Sequence, residues 1–332
     1  MDLRADATAF AQIYDAEFRR TCTRALLRAA LTRECTLPGH ALLRALDERI
    51  NEGLNACLCL TGAESGAERI SELETKLRNT RDSHQRAILI EAMESLLSAV
   101  RRAQLIPLYE TDDAFERGRV AGQQLGIPLP SQEQAWSDLA SDPDELIVRL
   151  HQQLPPPWLA AEESIEDTRG VPLQTMQITA HLQRAAGFNR LAMRELVRIA
   201  DAVEEIRLAA QEILVEEGEE DPALFLLVSG EVSLSQRGAE IGRVGPGALV
   251  GELSSIDGGP SAERVCAVTP VLALRLRREP LMALMADVPA FTIALSQLLA
   301  ARVRSLQSEL GERPDAKSDE TGPTTARRNG LS

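Results

Sequence analysis

Gly247-Ala-Leu-Val-Gly-Glu-Leu-Ser-Ser-Ile-Asp-Gly-Gly-Pro-Ser-Ala-Glu-Arg-Val265 reads as a loop able to wrap a phosphate. Its glycines admit tight turns with positive φ at no Cβ penalty. Ser261 and Glu263 stand in its second half, where the first basic residue is Arg264. The segments on either side alternate apolar and polar residues at period two, as in Glu231-Val-Ser-Leu-Ser235 and Leu272-Ala-Leu-Arg-Leu276. With breakers at short intervals, this pattern predicts strands at 203–208, 211–216, 223–229, 231–236, 239–244, 263–269 and 271–277, a small all-β unit. Helical spacing precedes it (Leu182, Ala186, Leu191, Leu196, Ile199) and follows it (Leu281, Leu284, Met285, then Phe291, Leu295, Leu298, Leu299, Val303, Leu306, Leu310).

The chain of 332 residues is long enough for two domains. Aromatics make up 3%, so the cores must be built from Leu, Ala, Val and Ile. A net charge of −14 argues against nucleic acid as a partner, because neutralising phosphates takes a basic face. No apolar run approaches the roughly 20 residues that span a bilayer. The start, Met1-Asp-Leu-Arg-Ala-Asp6, lacks the basic-then-apolar form of a secretory signal, so a cytoplasmic protein is expected. The five cysteines lack framework spacing, and buried free thiols are expected, Cys57 and Cys59 among them. His40, His84, His151 and His181 show no ligand spacing, and the acidic run Glu216–Asp221 reads as a solvated hairpin tip; no metal site is expected. There is no P-loop, nucleophile elbow or zincin motif, so no enzyme is expected.

Upstream, Leu42, Leu43, Leu46, Ile50 and Leu54 form one apolar stripe, and Ile88, Leu89, Ala92, Met93, Leu96, Leu97 and Val100 another. Ala41-Leu-Leu-Arg-Ala-Leu-Asp-Glu-Arg-Ile50, Arg86-Ala-Ile-Leu-Ile-Glu-Ala-Met-Glu-Ser-Leu-Leu97 and Leu105-Ile-Pro-Leu108 resemble a HEAT-like helical region of the kind found beside cyclic-nucleotide-binding-like domains in bacterial transporter-like proteins. That resemblance implies helical pairs over 1–110 that offer a surface to a protein partner, with a membrane protein as one candidate. Prolines at 107, 128, 130, 143, 155, 156, 157 and 172 make 111–175 a semi-rigid connector holding one short helix, Pro143–Gln153. The polar stretch 313–332 reads as a disordered tail.

The C-terminal half resembles the cyclic nucleotide-binding domain. Phe188 with Leu196-Val-Arg-Ile-Ala200 is similar to the family's leading helices, and Glu212-Ile-Leu-Val-Glu-Glu-Gly218 to its second-strand motif. Leu224-Phe-Leu-Leu-Val-Ser-Gly-Glu-Val232 and Val244-Gly-Pro-Gly247 resemble its glycine turns, Gly251-Glu-Leu253 the opening of its phosphate-binding cassette, and Val265-Cys-Ala-Val-Thr-Pro-Val271 the strand beyond. The implied fold class is α+β multidomain: a helical-repeat domain, then at 176–312 an antiparallel β-barrel of jelly-roll type with flanking helices. The implied pocket residues are Gly251, Glu252, Leu253, Ser261 and Ala262, with Glu252 as the ribose-contacting carboxylate and Ser261 at the arginine position. Using Arg264 as the anchor instead would throw Val265–Pro270 three residues out of step. An arginine clamp makes two charge-assisted bonds of about 1.5–3 kcal/mol each, so its loss weakens binding at least about a hundredfold. The expected function is therefore a non-enzymatic regulatory or scaffolding protein with a degenerate pocket and no cofactor. The alternative is a genuine sensor of cAMP, cGMP or another nucleotide. A homodimer through the helix at 289–310 is a further expected contact.

Overall fold

The computed structural model describes residues 3–31, 39–65, 69–80, 82–154, 173–185, 187–220 and 222–311. The triple proline at 155–157, the polar stretch to 172 and the tail from 313 lie outside the described residues. Six helices open the chain: α1 (Leu3–Ala30), α2 (Gly39–Ser65), α3 (Arg69–Asn79), α4 (Ser83–Leu96), α5 (Ala99–Tyr109) and α6 (Ala114–Leu125). The first apolar stripe read from the sequence faces inward, Leu42, Leu46, Ile50 and Leu54 on α2 being almost fully buried; of the second, Met93 and Leu97 are buried but Ile88 and Val100 are exposed. A solenoid of helical repeats brings each pair against its neighbours alone. Here α6, beyond the 1–110 span, also lies along α1, and the packing does not by itself establish a HEAT-like stacking. Two glycines one turn apart on α6, Gly118 and Gly122, are buried and permit that approach: a Cβ on Gly118 would stand 2.6 Å from the Ala25 carbonyl oxygen. Cys22 and Cys57 are buried, and burial pushes both thiols up to about 12. Cys59 is exposed, against the expectation.

The span 111–154 corrects a second expectation. It holds α6, α7 (Gln132–Leu139) and α8 (Glu145–Gln152), each started by a side-chain cap, from Asp113, Ser131 and Asp144 respectively. Its prolines at 128, 130 and 143 fall between these helices, where no helical N–H is needed. Ala135, Leu139, Ile147 and Leu150 are completely buried. Arg24 of α1 forks onto Asp142 at 2.7 and 3.0 Å with both side chains out of solvent, fixing the α7–α8 turn to α1.

After α9 (Thr175–Arg184), a 3-10 turn at Phe188–Arg190 and α10 (Met193–Ala202) come eight strands and three helices. The strands are β1 (Glu204–Leu208), β2 (Ile213–Val215), β3 (Ala223–Ser229), β4 (Val232–Gln236), β5 (Ala239–Val244), β6 (Leu249–Val250), β7 (Arg264–Ala267) and β8 (Val271–Arg277). The helices are α11 (Glu252–Asp257), α12 (Arg278–Asp287) and α13 (Pro289–Gly311). Seven strands lie where the period-two pattern put them; the two-residue β6 is too short to show a period. The strands form two antiparallel sheets, in orders β1-β8-β3-β6 and β2-β7-β4-β5. The sheets are not closed into the barrel expected: β6 and β2 are too short to carry a ladder across, and the edge strands of one sheet pair with none of the other. Phe225, Leu227 and Val250 from the first sheet meet Val232, Leu234 and Val265 from the second in a shared interior.

The first sheet is covered on its other face as well. Leu224, Leu226, Leu274 and Leu276 belong to one continuous core with Phe188, Leu196, Phe291 and Leu295, and the same core runs on through Ile147, Leu139, Leu46 and Leu31 of the helical region. Burial on both faces explains the unbroken apolar run Ala223–Leu227, as sheets covered on both sides require. Polar bonds cross the same junction: Arg44 donates to the Leu191 carbonyl, and the Met193 amide donates to Glu48 at 2.8 Å. Among the described residues no single helix is long and apolar enough to cross a membrane.

Candidate functional site

The cassette begins where β6 leaves β3. Gly251 has φ 77°, and a Cβ there would fall onto the Ala223 carbonyl oxygen, so both conformation and space demand glycine. That turn drops Glu252 into the protein as the first residue of α11, where it is only 2% exposed. Leu253, next along, is 58% exposed. The cassette residues therefore diverge: Glu252 and Ser261 point inward, Leu253 and Ala262 outward.

Ser261 is tightly held. Its amide donates to Glu219 O at 3.0 Å, its carbonyl accepts from Gly218 at 2.7 Å, and its hydroxyl donates to Glu263 O at 2.9 Å. The residue is 7% exposed. Together with Ser254, Val215, Glu219, Pro222, Ala223 and Phe225 it lines a cavity of about 10 Å³, room for one water at most. On β7, Val265 stands opposite Val215 and Leu234, and Arg264 opposite Ser235. Arg264 pairs with Glu216 at 3.3 Å on the surface and takes no part in the cassette.

Two arginines from outside the cassette reach it: Arg278 of α12, which donates to the Ile256 carbonyl at 3.3 Å beside Gly258, and Arg302. Arg302, on α13, bonds the Glu252 carboxylate, and its other terminal nitrogen lies 3.8 Å from Glu263. Burial pushes the Glu252 carboxyl above the usual carboxylate range and Glu263 adds to that, while its own backbone amide and Arg302 pull it down. Sequence reasoning missed Arg302. One signal was present: it stands seven residues after Leu295, a charge on the apolar stripe of the last helix. Among the described residues no group of His, Cys, Asp or Glu is arranged to hold a metal ion.

This order of strands, glycine turns and short cassette helix has known counterparts. Residues 205–288 match the cyclic nucleotide-binding domain. The CRP-like cAMP-activated global transcriptional regulator of Mycobacterium tuberculosis is 27% identical over 137 residues, 40% of this chain and 61% of that protein. The cyclic AMP receptor protein of Thermus thermophilus is 36% identical over 99 residues, 28% of this chain and 46% of that one. A solved cyclic nucleotide-binding domain from Methylobacillus flagellatus is 26% identical, with a TM-score of 0.39, and covers 43% of this chain and 85% of its own. The chain thus spans less than two thirds of the length of either regulator. The matched residues take in β1 to β8, the cassette and α12; α1 to α8 lie outside them.

Proposed function

We propose that this chain is a non-enzymatic regulatory or scaffolding protein. In this reading its cyclic-nucleotide-binding-type domain works through protein contacts, and its cassette does not clamp a cyclic phosphate. What supports the reading is that Ser261, which the resemblance places at the clamp position, turns its hydroxyl to a backbone carbonyl, while Glu252, the carboxylate the resemblance assigns to the sugar, is bonded by Arg302. The neighbouring Glu263 adds a charge that opposes an anion. The helical region is proposed to receive a protein partner, with a membrane protein as one candidate and nucleic acid not among them. On α13, Ile293 is 57% and Val303 52% exposed, which supports a second copy of the chain as a further contact. A cytoplasmic location belongs to the same proposal.

The test is a titration of the full chain with cAMP and cGMP, followed by melting temperature and calorimetry. No shift and no heat at millimolar nucleotide is the expected result. Binding in the micromolar range would overturn the reading and establish the second one, a true nucleotide sensor. That alternative is supported by the match at 205–288 and by relatives named for cAMP. For a sensor, nucleotide at a hundred times its dissociation constant would add about 2.7 kcal/mol of stability.

A further inference from the structure

We infer that the occupant of the cassette is this chain's own C-terminal helix, held there by the guanidinium of Arg302 between Glu252 and Glu263. Three observations converge on it. First, Glu252 and Glu263 present two carboxylates, while Arg264 is turned away to Glu216 and Arg278 bonds the Ile256 carbonyl; the chemistry around the two acids suits a guanidinium better than an anion. Second, a nearly buried carboxylate such as Glu252 demands a partner, because an unpaired buried charge is costly. Arginine's planar fork is suited to bridging two acids. Third, α13 is fastened unevenly. Its first turns bury Phe291, Ala294 and Leu295, with Leu298 packed against the same core, whereas Ser296, Gln297, Ala300, Ala301 and Val303 are exposed. Arg302 is where the later turns of the helix reach the cassette.

The consequence is a regulatory contact. Any ligand that takes the Glu252 carboxylate, or any partner that seizes the exposed side of α13, competes with Arg302 and frees the later half of the helix. The inference rests on the reading of Glu252 as a carboxylate with no sugar to hold, but the two can fail separately.

Backbone amide hydrogen exchange on the full chain tests it. Arg302→Gln changes helix propensity little. It is expected to speed exchange at residues 300–311 at least about tenfold, equivalent to about 1.4 kcal/mol, and to leave 281–295 unchanged. Glu252→Gln is expected to do the same, and the double variant to do no more than either single one. Unchanged exchange in Arg302→Gln, or effects that add in the double variant, would overturn the latch. Should Glu252→Gln fail to fold, Arg302→Lys decides: protection partly regained supports the latch, and none regained rejects it. Micromolar binding of cAMP by the wild-type chain would instead overturn the degenerate-pocket reading, whatever the exchange of α13 shows.

Discussion

At the scale of single residues, the cassette shows how local packing fixes the backbone of a loop. Gly251 is fixed by geometry that has nothing to do with a nucleotide, namely a left-handed turn pressed against the Ala223 carbonyl. Gly251→Ala is expected to cost at least about 2 kcal/mol, from the left-handed penalty and the clash together, read as a lower urea midpoint. Glu252 carries a pH signature. Its folded carboxyl lies above the ordinary glutamate value of 4.5, so the folded state binds the proton more tightly than the unfolded state. The stability it contributes is fully present below that ordinary value and is lost as pH rises through the raised one. Urea midpoints measured from pH 4 to 7 should therefore show a decline in the wild type that Glu252→Gln lacks. An identical slope in the two chains would mean that burial does not govern this group. The sequence puts Ser261 where the resemblance would place an arginine, a reading that rests on the register of Val265–Pro270. It could not show Arg302, whose partner is 50 positions away and depends on how α13 lies across the cassette.

At the scale of elements, legibility followed how many faces are buried and where the breakers stand. Strands such as β4, with Val232 and Leu234 buried and Ser233 and Ser235 less so, announce themselves by alternation. β3 shows none, and was legible from its length and its glycine turn. The span 111–154 misled because its prolines were read as linker stiffness. Asp113, Ser131 and Asp144, the caps that start three helices, were in plain view in the same residues. The pairing of α6 with α1 was not legible at all, since only the packing explains why Gly118 is glycine. This yields an opposed expectation for Gly118→Ala. Helix propensity alone predicts a gain of up to about 1 kcal/mol. The added methyl, however, meets the Ala25 carbonyl and the Ala29 side chain at backbone-to-backbone closeness. Overpacking of this kind costs about 1–3 kcal/mol, so a net loss is expected in the denaturation midpoint. A net gain would show that α6 can move off α1 freely.

At the scale of the molecule, the sequence suggested two domains and a connector, and the packing answers differently. One core runs from Leu31 and Leu46 through Ile147 and Phe188 to Leu226 and Leu295, so α1, α2, α7 and α8 share a core with the first sheet, while α3 to α6 pack with α1 and α2 in a second core. The bonds from Arg44 and Glu48 to the backbone around α10 cross the same boundary. Such sharing couples a displacement of α13 to helices far from the cassette, because Phe291 and Leu295 belong to the core that also holds α2 and α8. It also governs how the chain unfolds. Two domains on a linker would melt separately, whereas elements with a common core should come apart together. Helix loss followed by circular dichroism and loosening followed by tryptophan fluorescence are therefore expected to give one coincident transition. Leu46→Ala should shift the whole of it by about 2–5 kcal/mol, although the residue lies on α2, outside the matched domain. Hydrogen exchange in the same variant distinguishes the alternatives at residue level. If β3 and β8 kept their wild-type protection while α2 lost its own, the shared core would not be transmitting stability, and the helical region would be a separate body resting on the sheet.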